Sequence, residues 1–326
     1  MTLRPTVPLI RLVVGLLLLA VAGLLIVDRP EPGLAGLLAA SVFASAIPIG
    51  AAFLLLVMAL TGGRWQHELA GATAGLVRLA PIFVAFLPLL LLSPTLYGWQ
   101  GMERDTTFRA LFLNEWSYAL VTIGFLLALL LAPWCAARSR ATAAVALILF
   151  VILQGLAASL WLMPLAPGYF SSGLALYVLS LQVGIAFCLL VLSAPASRLP
   201  LSGTLLLVAV LFWLYFAYIQ YFVSWNVNSA AGLEWFAPRS AGLWRYVEYL
   251  LAASGALPAA LLLFPPIRQS RRWTVALAAI LLGGKAIECL WLALPGRGGL
   301  AVALLSGAGL MLAASAGFRP PREARS

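Results

Sequence analysis

Residues 273–294 read WTVALAAILLGGKAIECLWLAL, a run of twenty-two in which only Lys285 and Glu288 carry charge. About 20 apolar residues in helical form cross the ~30 Å hydrocarbon layer of a bilayer. No soluble core needs such a run. A lone charge at the bilayer centre costs about 2.5–3.5 kcal/mol on insertion scales, so two charges kept inside the run need a reason. The stretch therefore points to a membrane-spanning helix and to a place where function can reside.

Similar runs lie on both sides of it, at roughly 8–27, 34–60, 76–97, 113–132, 141–162, 170–194, 202–225, 244–264 and 299–317. With the opening stretch they make ten, and they predict an all-α polytopic membrane protein forming one integral membrane domain over residues 1–326. The mean hydropathy of +1.05 and a charged fraction of 9% agree, and no loop is long enough for a separate soluble domain. Helix-breaking punctuation separates the runs: Arg29-Pro30-Glu31-Pro32-Gly33, Thr61-Gly62-Gly63, Pro195, Pro265-Pro266 and Pro295-Gly296. Pro81 and Pro88 fall inside the third run and predict a kink there, because each removes a backbone donor; Pro48 and Pro258 do so elsewhere. Ala20-Val21-Ala22 resembles a signal-peptidase site, but the apolar run continues to Val27 and predicts an uncleaved first helix.

The arginines orient the chain. The N-terminal side, side A, holds Arg4, Arg11, Arg64, Arg78, Arg138, Arg140, Arg198, Arg268, Arg271, Arg272, Arg319, Arg322 and Arg325. Side B holds Arg29, Arg104, Arg109, Arg239, Arg245 and Arg297. That is 13 against 6, and Lys285 completes the 20 basic residues. The positive-inside rule then makes side A cytoplasmic, with both termini inside. The net charge of +10 sits at the ends of apolar runs and not in a stripe, which is a topology signal and not a nucleic-acid footprint. Cys135, Cys188 and Cys289 lack the spacing of a zinc site or disulfide framework, and the single His67, placed in a polar loop, cannot supply two haem ligands. No metal or haem site is expected.

Three charges fall inside predicted helices. Glu248, Glu288 and Lys285 lie about 6, 9 and 14 Å from side B at 1.5 Å per residue. Lys285 and Glu288 share a face at i,i+3 spacing, and the short connection between their helix and that of Glu248 makes the two antiparallel neighbours. Glu248 is thus expected in the same cluster. A desolvated carboxylate beside a lysine suits a group that gains and loses a proton, as in a proton path or a quinol-headgroup site; a packing ion pair is the plainer alternative. Trp213, Ala217, Gln220 and Ser224 recur at helical spacing and add a polar face, followed by Asn226 and Asn228 at side B. Gln154, Gln182 and Gln220 also suit interhelical hydrogen bonds, and Glu115 suits a positive helix end.

Several stretches together resemble the NrfD-like, polysulfide-reductase-type membrane component of alternative complex III, a bacterial quinol:electron-acceptor oxidoreductase. Residues 216–228, FAYIQYFVSWNVN, resemble the family's F-S-Q-F…W-x-x-N. Trp244-Arg245 resembles its Trp-Arg at the next helix start, and Glu288-Cys289-Leu290-Trp291-Leu292-Ala293-Leu294-Pro295 its D-x-Y-W-L-V-M-P. The order holds from about residue 50 to 295. The chain departs from the family in the segment 226–235, which has one acid, Glu234, and in Lys285. The resemblance implies two four-helix bundles plus flanking helices and a bacterial cytoplasmic membrane. It also implies a second NrfD-like subunit with iron–sulfur and haem-c subunits as partners. The chain would bind no redox cofactor itself and would meet quinol or quinone, with no catalytic residue of its own assigned. Glu248, Lys285, Glu288, Gln220, Asn226, Asn228 and Arg245 are the candidates for a quinol site or proton path. A stand-alone transporter and a structural membrane anchor are the competing classes.

Overall fold

The computed structural model describes residues 6–97, 107–193, 199–227 and 230–317. Along them run α1 (Thr6–Asp28), α2 (Pro30–Thr61), α3 (Arg64–Val77), a 3-10 segment (Ala80–Ala85), α4 (Phe86–Leu91), α5 (Ser93–Tyr97), α6 (Thr107–Phe112), α7 (Glu115–Arg138) and α8 (Arg140–Leu162). The second half adds α9 (Leu174–Ser193), α10 (Leu199–Val227), α11 (Ala230–Arg239), α12 (Leu243–Leu262), α13 (Pro265–Gln269), α14 (Arg271–Ala293) and α15 (Leu300–Gly317). No strand occurs among the described residues. The protein is an all-α polytopic membrane protein.

Local chemistry sets the helix ends. Pro30 occupies the first turn of α2, where a missing N–H costs nothing, and Gly62 ends that helix at φ 66°. Asn114 Oδ1 accepts from the Ser117 N–H to cap α7, with Glu115 in the first turn as expected. Ser139 Oγ caps α8 by accepting from Thr142 N–H.

Packing falls into two four-helix groups. The first is α2, the broken span α3–α4, α7 and α8; the second is α9, α10, α12 and α14. They meet along α2 and α9, where a Cβ on Gly50 would stand 2.1 Å from the Gln182 carbonyl oxygen, so only glycine permits that approach. Gln182 Oε1 in turn accepts from Gln154 Nε2 at 3.1 Å, joining α8 to α9 as interhelical glue. α1 and α15 pair with each other and flank α2. A Cβ at Gly15 would come 2.8 Å from the Gly309 oxygen, and this small-residue contact holds the pair together.

Among the described residues nine segments are long and apolar enough to cross a membrane. The tenth expected span, α12, is a 20-residue helix, but Arg245, Glu248 and its tyrosines make it less apolar than the rest. Taken as a crossing, it brings the start of α1 and the end of α15 to one side. The expected kinked helix at 76–97 is corrected more strongly. The chain leaves helical geometry after Val77, runs as 3-10 turns through Pro81 and resumes in two short helices. A proline early and another at 88 leave too few backbone bonds for a continuous α-helix. His67 lies not in a loop but in α3, and α11 occupies what read as the loop after Trp225.

Candidate functional site

The second helix group encloses a cavity of about 280 Å³. Trp213, Ala217, Tyr218, Gln220 and Tyr221 of α10 form one wall. Tyr177 of α9, Glu288 and Trp291 of α14, and Glu248 and Leu251 of α12 form others, and Trp235 and Phe236 of α11 cover the side-B end. The helical face expected from Trp213, Ala217 and Gln220 is therefore a cavity wall, with Ser224 lining the next cavity outward.

Glu288 stands at the bottom of it, 2% exposed. Its Oε1 accepts from Trp213 Nε1 at 2.8 Å and from the Tyr177 hydroxyl, and its Oε2 accepts from Lys285 Nζ at 2.9 Å. Donors from three helices thus converge on one carboxylate. Lys285, 4% exposed, places Nζ 2.7 Å from the centroid of the Trp213 ring. The indole thereby serves both charges, its N–H on the carboxylate and its face on the ammonium. Two glycines allow this: a Cβ on Gly255 would fall 2.1 Å from Trp213 Cζ3, and one on Gly284 would fall 2.3 Å from Ser254 Oγ. α12 can close on α10 and α14 only because both lack side chains.

Gln220 is buried, and its Oε1 accepts from the Tyr169 hydroxyl at 2.9 Å and Ser171 Oγ at 2.8 Å. Burial holds the Tyr169 phenol above its ordinary range, so it donates at neutral pH. With the carbonyl end occupied, the amide nitrogen has no hydrogen-bond partner among the described residues, and neither does Trp291 Nε1. Two N–H donors of cavity-lining side chains are therefore unmatched.

The remaining expectations separate. Glu248 faces the cavity from another helix and is not bonded to the Lys285–Glu288 pair; it accepts from Ser240 Oγ at 3.0 Å. Ser240 lines a second cavity of about 550 Å³ toward side B, which shares Tyr221 and Phe236 with the first. Arg245 is exposed and donates to the Ser240 carbonyl, and it is not among the residues lining either cavity. Asn226 is likewise apart from the cavity lining: it is exposed and its amide turns back to Phe222 O of its own helix at 2.9 Å. Asn228 lies outside the described residues.

Sequence reasoning missed Tyr177 and Arg239. Arg239 is 3% exposed, donates to Trp235 O and Leu292 O at 2.6 Å each, and stacks 3.4 Å above the Trp235 ring, which itself stacks on Tyr169. Burial, with Arg297 nearby, draws its guanidinium down to about 9, still charged at neutral pH. Arg239 thus ties the cover helix α11 to the end of α14. Its sequence signal was only that of one more interfacial arginine.

No protein-family model matches the chain, and no curated protein matches its sequence.

Proposed function

We propose that this chain is a non-haem membrane subunit of a quinol-oxidising respiratory complex in a bacterial cytoplasmic membrane. It supplies a quinol environment at the Glu288 cavity and a proton route to side B. The observation that carries the reading is a buried carboxylate, held by donors from three helices, forming the wall of an aromatic cavity. Engineered cavities of about 150 Å³ already admit benzene, so about 280 Å³ suffices for a substituted quinone ring. Tyr218 and Tyr221, exposed on the outer surface of α10, mark where an isoprenoid tail can leave toward lipid.

In this reading a quinol hydroxyl donates to Glu288 and a quinone oxygen accepts from the unmatched Gln220 amide. Oxidation releases two electrons to a partner subunit and two protons. Glu288 takes up the two protons one after the other, handing the first on before it accepts the second, and while it is protonated the cation left on Lys285 stays against the Trp213 ring. Glu248 and Ser240 carry protons onward to the side-B cavity. The resemblance to the NrfD-like component supplies the partners: a second such subunit, and iron–sulfur and haem-c subunits that hold the redox centres.

The test pairs Lys285→Met with Glu288→Gln, which removes both charges and strands neither. The assembled double variant is expected to keep its partners and lose quinol oxidation. Full turnover in it would reject the role of this pair and leave it as helix packing. Purification of the chain without haem or iron–sulfur partners would instead favour a stand-alone permease.

A further inference from the structure

A third cavity, of about 520 Å³, lies apart from the Glu288 cavity, between α1, α15 and the 3-10 segment of the broken span. Its walls are apolar: Leu16 and Leu19 of α1, Pro81 and Ile82 of the 3-10 segment, and Leu310 and Ala313 of α15. One charged residue lines it, Arg78, at the break itself. Arg78 is exposed and makes no ion pair or side-chain hydrogen bond among the described residues. The cleft exists because two things fail to fill it. The narrow 3-10 segment replaces a full helix, and α15 presents Ala313, Ala314 and Gly317 toward it. Gly317, the last residue of α15, lines the cleft, so its mouth lies at side A, where 13 of the arginines gather.

We infer that this cleft is a binding site for one anionic phospholipid of the side-A leaflet, its acyl chain along Leu16, Leu19 and Ile82 and its phosphate on Arg78. Charge complementarity selects the occupant. A guanidinium at the mouth of an apolar groove matches a phosphate at the head of an acyl chain, with the fork geometry that favours phosphate. Basic pockets between transmembrane helices on the cytoplasmic side bind such headgroups. A zwitterionic lipid brings a second, positive charge that opposes Arg78. The site is independent of the quinol reading, since it shares no residue with the Glu288 cavity.

Native mass spectrometry of the full chain in mild detergent, with phosphatidylglycerol and phosphatidylcholine of identical acyl chains added in equal amounts, reads the site directly. One phosphatidylglycerol is expected to be retained in preference by about fivefold, the factor that corresponds to ~1 kcal/mol for one basic residue at a membrane surface. Arg78→Gln should abolish the preference while leaving the fold intact, because Arg78 holds nothing else in place. Gly317→Trp should reduce retention of both lipids by obstructing the mouth; among the described residues nothing lies within 4 Å of a Cβ at that position, so the helix tolerates it. Equal retention of the two lipids by the wild type, or an undiminished preference in Arg78→Gln, overturns the proposal.

Discussion

The two helix groups solve the same packing problem in opposite ways. In the first, Trp161 fills the centre. Its ring lies against Phe83, Phe86 and Phe125, its N–H donates to Thr122 Oγ1 at 3.0 Å, and its carbonyl accepts from the Tyr97 hydroxyl at 2.8 Å. Among the described residues that centre holds no buried charge, and the ring's polar end has a partner. In the second, Trp213 also donates its N–H, but to a carboxylate, and it borders a cavity instead of filling one. Lipid is as apolar as a side-chain core, so helices in a bilayer associate through close contact and polar bonds and gain little from burial itself. A hole flanked by two charges forfeits close contact. The first group is arranged for adhesion, and the second gives up adhesion at one place, which is where chemistry is to be sought.

The largest expected effect comes from Glu288→Ala. It strands Lys285 in a dry site and should cost about 3–5 kcal/mol, read as a fall in melting temperature in detergent. If the loss is small, the charges are solvated through the cavity and the contrast between the groups weakens. Trp161→Ala should cost about 3 kcal/mol, through the void it leaves and not through transfer to water. Binding of a quinone analogue, followed by quenching of tryptophan fluorescence, should survive it. Loss of that binding would mean the two groups are not independent. Gly255→Ala should cost about 1–3 kcal/mol by driving a methyl into Trp213. Because that indole holds both Lys285 and Glu288, analogue binding should fall with stability. Gln220→Leu should change stability by no more than about 1 kcal/mol, since removing an unmatched buried donor offsets the acceptor lost by Tyr169 and Ser171. It should still weaken analogue binding severalfold, and unchanged binding would remove Gln220 from the site.

The spans were legible because a bilayer imposes length and apolarity on each helix separately. The boundaries of α8, α14 and α15 follow directly from their runs. The Lys285–Glu288 pair was legible for the same reason, since i,i+3 neighbours on one helix are fixed by sequence alone. Tyr177 was not: 111 positions separate it from Glu288, and only the packing of α9 on α14 brings them together. The position of Glu248 was half legible. Its helix was placed beside α14, but its bond to Ser240 and the close approach of α12 that Gly255 and Gly284 permit show only once their neighbours are known. Arg245 and Asn226 show the converse, polar residues near the site in sequence that bond to nearby backbone.

The clasp of α1 on α15 has a consequence in time. α1 emerges from the ribosome first among the described helices, and about 270 residues separate its end at Asp28 from the start of α15 at Leu300. At about 5–20 residues per second, that is roughly 15–50 s of synthesis. For that interval α1 has α2, the 3-10 segment and lipid to lean on, and the groove it leaves for α15 stays open. Among the described helices this pairing is the last to become possible, as a clasp that closes on a ring already formed. Anything that delays α15 leaves α1 unlatched in the membrane.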